Sequence, residues 1–223
     1  MKRLYLFICC AMTLALELCS SASFAQKFLE NNESYYSTGY YYLPDSTKIS
    51  GLIKYTFLQP GYFRFKESLT AKAVTITADE CIGFHEDGDK ADFETLSNVK
   101  IPAGLTNRKL SKCFAELRIA GNLNLYLVYF EKSKPGFSTA VAPGISVGTS
   151  SVAGGPPRVA TSRYMLKKKN SDVVQEVPKK AKQFRKEIAA FLSDKPGIVD
   201  FINSHDYTDD EIEMVVQAYN HSK

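Results

Sequence analysis

Residues 47–57 read Thr-Lys-Ile-Ser-Gly-Leu-Ile-Lys-Tyr-Thr-Phe, and their alternation constrains the chain more than any other feature. Ile49, Ile53, Tyr55 and Phe57 fall on one side of an extended strand. Lys48, Ser50, Lys54 and Thr56 fall on the other, with Leu52 as the apolar exception. A period of two calls for a sheet with one buried and one solvated face. Pro44-Asp45-Ser46 before the stretch and Gln59-Pro60-Gly61 after it supply turns on both sides. The strand therefore sits inside a meander.

The same alternation continues downstream. Phe63 and Phe65 point inward from 62–66, followed by Val74 and Ile76, then Ile82 and Phe84. Asp87-Gly88 is a strong two-residue hairpin signal, because a type I′ turn needs positive φ at both central positions. Phe93 marks the returning strand. Residues 98–110, with Pro102-Ala103-Gly104, read as loop. Residues 114–119 and 123–130 then predict a second hairpin around Gly121-Asn122, suited to a type II′ turn. Its second strand, Leu-Asn-Leu-Tyr-Leu-Val-Tyr-Phe, is apolar on both faces after Asn124, which nominates it as the central strand. Residues 134–162 are rich in Gly, Pro, Ser, Thr, Ala and Val and read as a flexible insertion between two paired strands. The strand after it covers 163–168. Lys169-Asn170-Ser171-Asp172 turns it into 173–177.

From Pro178, placed as a first-turn proline, the period changes to that of helices. Phe184, Ile188, Phe191 and Leu192 make 179–192 amphipathic, and Pro196 opens a short helix through Ile198, Phe201 and Ile202. Thr208-Asp209-Asp210-Glu211 is a capping box, and it launches Ile212, Val215, Val216 and Tyr219 as one stripe. The expected fold is α+β: a mainly antiparallel β-meander sheet or partial barrel over 26–177, with the helical segment 178–223 packed on it.

Met1-Lys2-Arg3, the apolar run 4–16 and the small residues Ser23 and Ala25 match the three parts of a secretory signal peptide, cleaved before Gln26. Cys19 follows Glu17-Leu18, which lacks the small residue a lipoprotein site needs. No later apolar run reaches membrane-spanning length. Removing Lys2, Arg3 and Glu17 lowers the formal charge from +4 to +3, too mild to point to nucleic acid. Thirteen tyrosines and fourteen phenylalanines with no tryptophan suit a sheet-rich chain.

Three sets of residues invite a functional reading. Tyr36, Tyr40 and Tyr42 on the entry strand could form a stacking surface for a sugar or peptide, or simply a β-favouring strand half packed on the core. Cys81 and Cys113 remain after processing. In an oxidising compartment a bridge between them would contribute about 3–4 kcal/mol, and two buried thiols are the alternative. Lys179, Lys180, Lys182, Arg185 and Lys186 load the unfavourable end of a helix with positive charge. An anionic surface such as lipid headgroups or lipopolysaccharide would explain that, as would a solvated basic face.

Other motifs fail on inspection. Counting a calcium loop from Asp87 puts Ala91 and Asp92 at its fifth and sixth positions, where an oxygen ligand and a glycine are required. Gly-Ile-Ser-Val-Gly-Thr-Ser-Ser at 144–151 lacks the lysine of a phosphate-binding loop. His85, His205 and His221 belong to no metal or nucleophile pattern. No catalytic residue, metal or cofactor is therefore expected.

Several segments together resemble a large group of exported, uncharacterised proteins of the Bacteroidota. They are Ile-Ser-Gly-Leu-Ile-Lys-Tyr (49–55), Phe-Arg-Phe-Lys (63–66), Cys-Ile-Gly-Phe (81–84), Arg-Tyr-Met-Leu-Lys-Lys (163–168), Phe-Leu-Ser-Asp-Lys-Pro (191–196) and Ile-Glu-Met-Val-Val-Gln-Ala-Tyr-Asn (212–220). The resemblance implies a β-rich domain with C-terminal helices and supplies no catalytic residues to carry over. The expected role is a non-enzymatic binding or envelope-structural one, with another envelope protein or an anionic lipid surface as partner. A peripheral membrane protein acting through 179–192 and a periplasmic enzyme are the alternatives.

Overall fold

Ten strands hydrogen-bond into one sheet in the computed structural model, which describes residues 36–57, 59–103, 106–133 and 158–222. In chain order they are β1 (Ser37–Tyr42), β2 (Lys48–Lys54), β3 (Tyr62–Lys66), β4 (Val74–Thr77), β5 (Gly83–Glu86), β6 (Ala91–Ala103), β7 (Thr106–Ile119), β8 (Leu123–Ser133), β9 (Arg158–Lys168) and β10 (Val174–Glu176). The spatial order is β10-β9-β8-β7-β6-β5-β1-β2-β3-β4. Every pairing for which a register is defined is antiparallel. Three helices follow: α1 (Ala181–Phe191), α2 (Pro196–Asn203) and α3 (Ile212–His221), the last entered through a 3₁₀ turn at Asp209–Glu211. The expected α+β architecture is what the chain adopts. The sheet curls into a half-barrel, with β10 brought into contact with β6 and the helices packed against the sheet. The expected signal segment, 1–25, lies outside the described residues.

The opening alternation becomes β2 over Lys48–Lys54; Tyr55 and Phe57 lie beyond the strand and pack against the same core as Ile53. Ile53 is fully buried, and Lys48 and Ser50 are exposed. Gly51 is required there, because a Cβ would lie 2.4 Å from the Lys66 carbonyl oxygen and 2.5 Å from the Phe65 ring. The Pro44-Asp45-Ser46 turn closes with the Leu43 N–H on the Thr47 carbonyl at 2.9 Å, while the Asp45 carboxylate accepts the Thr47 N–H at 2.9 Å. Ser46 takes the left-handed φ of 68° that the tight reversal needs.

Three cores result. Tyr41, Ile53, Phe63, Phe65, Phe84, Phe93 and Phe114 form an aromatic core under β1–β7. Leu96, Cys113, Ala115, Tyr126, Val128, Phe130 and Met165 fill the inside of the curl, where Val174 of β10 packs against them. Leu123, Leu125 and Leu166 lie under the helices, against Phe184, Ile188, Ile202, Val215 and Val216. Each large side chain buried in this way stabilises the fold by about 1.5–3 kcal/mol relative to exposure.

Several expectations are corrected. Residues 98–110 are not a loop: β6 and β7 pair from Phe93↔Glu116 to Ala103↔Thr106. Asn98, with φ of 58°, interrupts the alternation. Leu96, Val99 and Ile101 all reach the same core, so the spacing no longer reads as a strand. The β5–β6 connection is four residues, not two, since Glu86 pairs with Ala91 and the positive φ falls on Lys90 at 52°. The β7–β8 connection runs Ala120-Gly121-Asn122, next to a register shift between Leu117 and Ile119. Val74 and Ile82 are 49% and 46% exposed: one opens the edge strand β4 and the other precedes β5. β8 is buried on both faces, yet it is third from an edge, with β5 and β6 in the middle. Its apolar faces reflect helices on one side and the curl on the other. β9 begins at Arg158, so 158–162 are strand; the rest of the expected insertion, 134–157, lies outside the described residues. Pro178 stands two residues before the N-cap Lys180 instead of in the first turn.

Candidate recognition face

The face of β1, β2, β5 and β6 opposite the aromatic core brings together side chains that are far apart in sequence. Along β1, Tyr41 turns into the core, so Tyr40 and Tyr42 project the other way. Register then places Tyr40 beside His85 on β5, and His85 beside Asp92 on β6. The rings of Tyr40 and His85 stack at 5.1 Å and 18°, and Tyr42 meets Tyr40 edge-on at 5.5 Å. From β2, the Lys48 ammonium lies 3.4 Å from the Tyr40 ring centroid. His85 Nδ1 is 2.7 Å from Asp92 Oδ1, and its Nε2 is 3.3 Å from Asp87 Oδ1. Partial desolvation, then Tyr42 and the Asp92 and Asp87 carboxylates, push the Tyr40 phenol above its ordinary value.

This geometry changes the expected stacking surface. β1 lies between β2 and β5, so Lys48 and His85 flank Tyr40 from opposite sides and occupy its ring. Tyr42 meets the Tyr40 ring edge-on. Tyr36 precedes β1 and is half-buried. Lys48, His85, Asp87 and Asp92 were not legible as part of a site. Their one sequence signal is period-two parity on strands whose register is set by distant turns.

Cys81 and Cys113 are free, buried thiols, and burial pushes each up to about 12. The register explains why they do not bond. Gly83 pairs with Glu94, and Thr95 binds both the Ile82 carbonyl (through N–H, 2.9 Å) and the Cys81 carbonyl (through its hydroxyl, 2.8 Å). Cys81, just before β5, packs in the aromatic core, whereas Cys113 of β7 packs inside the curl, and β6 runs between β5 and β7. Two strand spacings of roughly 4.8 Å each separate the cysteines, beyond the ~7 Å that a disulfide can span.

The basic residues are partly neutralised from within. Lys179 Nζ is 3.7 Å from Asp209, and Arg185 pairs with Asp206 while donating to the His205 carbonyl at 3.3 Å. Both acids lie on the segment that leads into α3, so these charges tie α1 to it. Lys180, Lys182 and Lys186 are exposed.

Two tyrosines inside the fold are engaged with acids. The Tyr126 hydroxyl donates to Glu94 at 2.6 Å and accepts from Asn124 at 2.9 Å. The Tyr129 hydroxyl donates to Glu116 at 2.7 Å, and Arg118 donates to the same carboxylate at 2.6 Å. His205 and His221 make local contacts, with Ser204 Oγ and the Gln217 carbonyl, each at 2.7 Å. Among the described residues, no group of three or more His, Cys, Asp or Glu could hold a metal ion. No helix among them is long and apolar enough to cross a membrane.

Comparison of the chain with protein-family models, with curated proteins and with solved structures finds no match. The face is therefore weighed on its own geometry.

Proposed function

We propose that this chain is an exported, non-enzymatic binding or structural protein of the cell envelope, which meets its partner through the face carrying Tyr40, Tyr42, Lys48 and His85. One observation carries the reading: three adjacent strands present aromatic, cationic and imidazole groups in fixed register, on the side of the sheet away from its aromatic core. Half-exposed tyrosines on rigid strands supply contact area at low entropic cost, which is how tyrosine serves at interfaces. Tyr126 with Glu94 and Tyr129 with Glu116 support the same reading, because each pair already satisfies itself. Export rests on the segment 1–25.

Photo-crosslinking in intact cells tests it, with a photoreactive residue placed at Tyr42 in one variant and at Lys182 in another. Adducts with a defined envelope protein at Tyr42 and none at Lys182 are expected, on a product whose mass begins at Gln26. Adducts at Lys182 alone, with lipid or lipopolysaccharide, would transfer the function to the basic helix. A product that retains residues 1–25 would overturn export.

A further inference from the structure

We propose that β4, an outer edge of the sheet, pairs antiparallel with β4 of a second copy of this chain about a two-fold axis at Val74, joining the two sheets edge to edge. Ala78 fixes the hydrogen-bond phase of β4: its N–H donates to the Gly61 carbonyl at 2.9 Å, in register with Phe63↔Ile76 and Phe65↔Val74. Bonded pairs alternate with unbonded ones in an antiparallel ladder. Val74 and Ile76 therefore turn their backbone groups to β3, while Thr75 and Thr77 turn theirs outward. Thr77 agrees with this phase, since its N–H donates to the Glu80 carboxylate at 2.7 Å and its carbonyl accepts the Glu80 N–H at 3.0 Å. That leaves Thr75, and Ala73 next in the same phase, each presenting an N–H and a carbonyl along an edge that no strand among the described residues covers. The opposite edge, β10, is drawn back to β6 by the curl, with Val174 against the core there.

The positions of these free groups select a second copy as the occupant. With Ala73 opposite Thr75 of the second copy, and Thr75 opposite its Ala73, every free N–H meets a free carbonyl and none is left over. The axis then passes between the two Val74 residues, an unbonded pair, where facing side chains come closest. Val74 is 49% exposed although it lies opposite Phe65 of the aromatic core, so a second Val74 extends that core across the axis. Glu80 ends the pairing at Thr77. Exposed Lys72, one place before Ala73, falls opposite Ile76 of the second copy, beside the Glu80 carboxylate that caps Thr77 there. The two-fold repeats this relation, so both ends of the contact close on opposite charges. β4 itself reads Val-Thr-Ile-Thr, β-branched throughout, with no charge or proline to blunt the edge. An isologous contact of this kind closes at a dimer, whereas β4 on β10 would run on as a fibre.

The contact is small and of the transient class, so association is read from about 10 µM to about 1 mM protein. Sedimentation equilibrium should show the mass passing from one chain toward two across this range. The Thr75 amide should gain about fivefold protection from hydrogen exchange over the same range, while the Ile76 amide, bonded to β3, stays level. Val74→Cys should form a linked dimer on mild oxidation, beyond the level of the native chain, because an unbonded pair holds its Cα atoms about 4.5 Å apart, within reach of a disulfide. Lys72→Cys should not, since its two copies stand about 13 Å apart along the strands. Lys72→Glu should weaken association about three- to tenfold by setting like charges together at both ends. If Val74→Cys does not fold, the Thr75 amide and Lys72→Glu carry the comparison. A chain that stays single throughout, or a dimer in which Thr75 gains no protection, would overturn the pairing. So would a dimer that Lys72→Glu leaves as tight, or Lys72→Cys linking as readily as Val74→Cys.

Discussion

Tyr55 shows at the scale of one residue how packing can override polarity. Its ring meets Phe84, Phe93 and Phe57 at 5.1, 4.8 and 5.6 Å, while its buried hydroxyl has no hydrogen-bond partner among the described residues. Burial drives the phenol well above its ordinary value. An unsatisfied buried hydroxyl costs about 1–3 kcal/mol, while the aromatic contacts need only the ring. Tyr55→Phe should therefore raise the stability by about 1 kcal/mol in urea unfolding, with an unchanged m value. A less stable variant would mean that the hydroxyl is bonded. That residue 55 belongs to the buried face was legible from its parity with Ile53; that its hydroxyl is orphaned was not, since this depends on rings brought in from β5, β6 and β7. The cysteines carry a similar lesson. Their separation in sequence permits a bridge, and it is β6, running between β5 and β7, together with their places in different cores, that forbids it. Thiol counting on denatured, unreduced protein should find two free thiols, both unreactive in the native state because burial keeps them protonated. A count of zero would overturn the register argument.

At the scale of elements, α3 shows what periodicity reveals and what it hides. Its stripe of Ile212, Val215, Val216 and Tyr219 is local, every member within seven residues, so it reads directly off the chain and is buried as expected. So does its start, where the Thr208 N–H and hydroxyl both donate to the Glu211 carboxylate, at 2.7 and 2.8 Å. Where α3 docks is another matter. Asn220 mimics a strand partner for Leu123, accepting its N–H at 2.8 Å and donating to its carbonyl at 2.9 Å across 97 positions of sequence. Gly121 makes room, because a Cβ there would lie 2.4 Å from the Asn220 amide. Tyr219 and Lys168 meet on Asp194, each at 2.5 Å, and Lys195 donates to the Tyr219 carbonyl at 3.0 Å. No composition or period encodes such pairings. Asn220→Ala leaves both backbone groups of Leu123 without their partner and should cost about 1–3 kcal/mol in chemical denaturation. A loss below 0.5 kcal/mol, the range of an ordinary surface substitution, would mean that the apolar stripe alone holds the helix. The β6–β7 hairpin is the opposite case, an element hidden because Asn98 breaks the parity that betrays strands elsewhere.

For the molecule as a whole, the question is which parts of the chain the sheet needs. β8 and β9 are in continuous register from Leu123↔Lys168 to Ser133↔Arg158, and each faces two cores through Leu125, Tyr126, Met165 and Leu166. Once Ser133 and Arg158 are opposite one another, two residues suffice to join them, as in a type I′ hairpin. The chain uses twenty-four, residues 134–157, rich in Gly, Pro, Ser, Thr, Ala and Val and outside the described residues. Closing so long a connection costs about 2 kcal/mol more than closing a two-residue one, because closure entropy grows only with the logarithm of length. A sheet can carry a connection of that length at this cost. Replacing residues 134–157 with Asn-Gly should leave the circular dichroism spectrum unchanged and raise the unfolding free energy by up to about 2 kcal/mol, with the same amides protected in β8 and β9. A replacement that fails to fold, or that loses protection along β9, would show that the segment packs on the sheet. A replacement that folds fully but no longer crosslinks through Tyr42 would place part of the partner's footprint on those twenty-four residues and not on the strands alone.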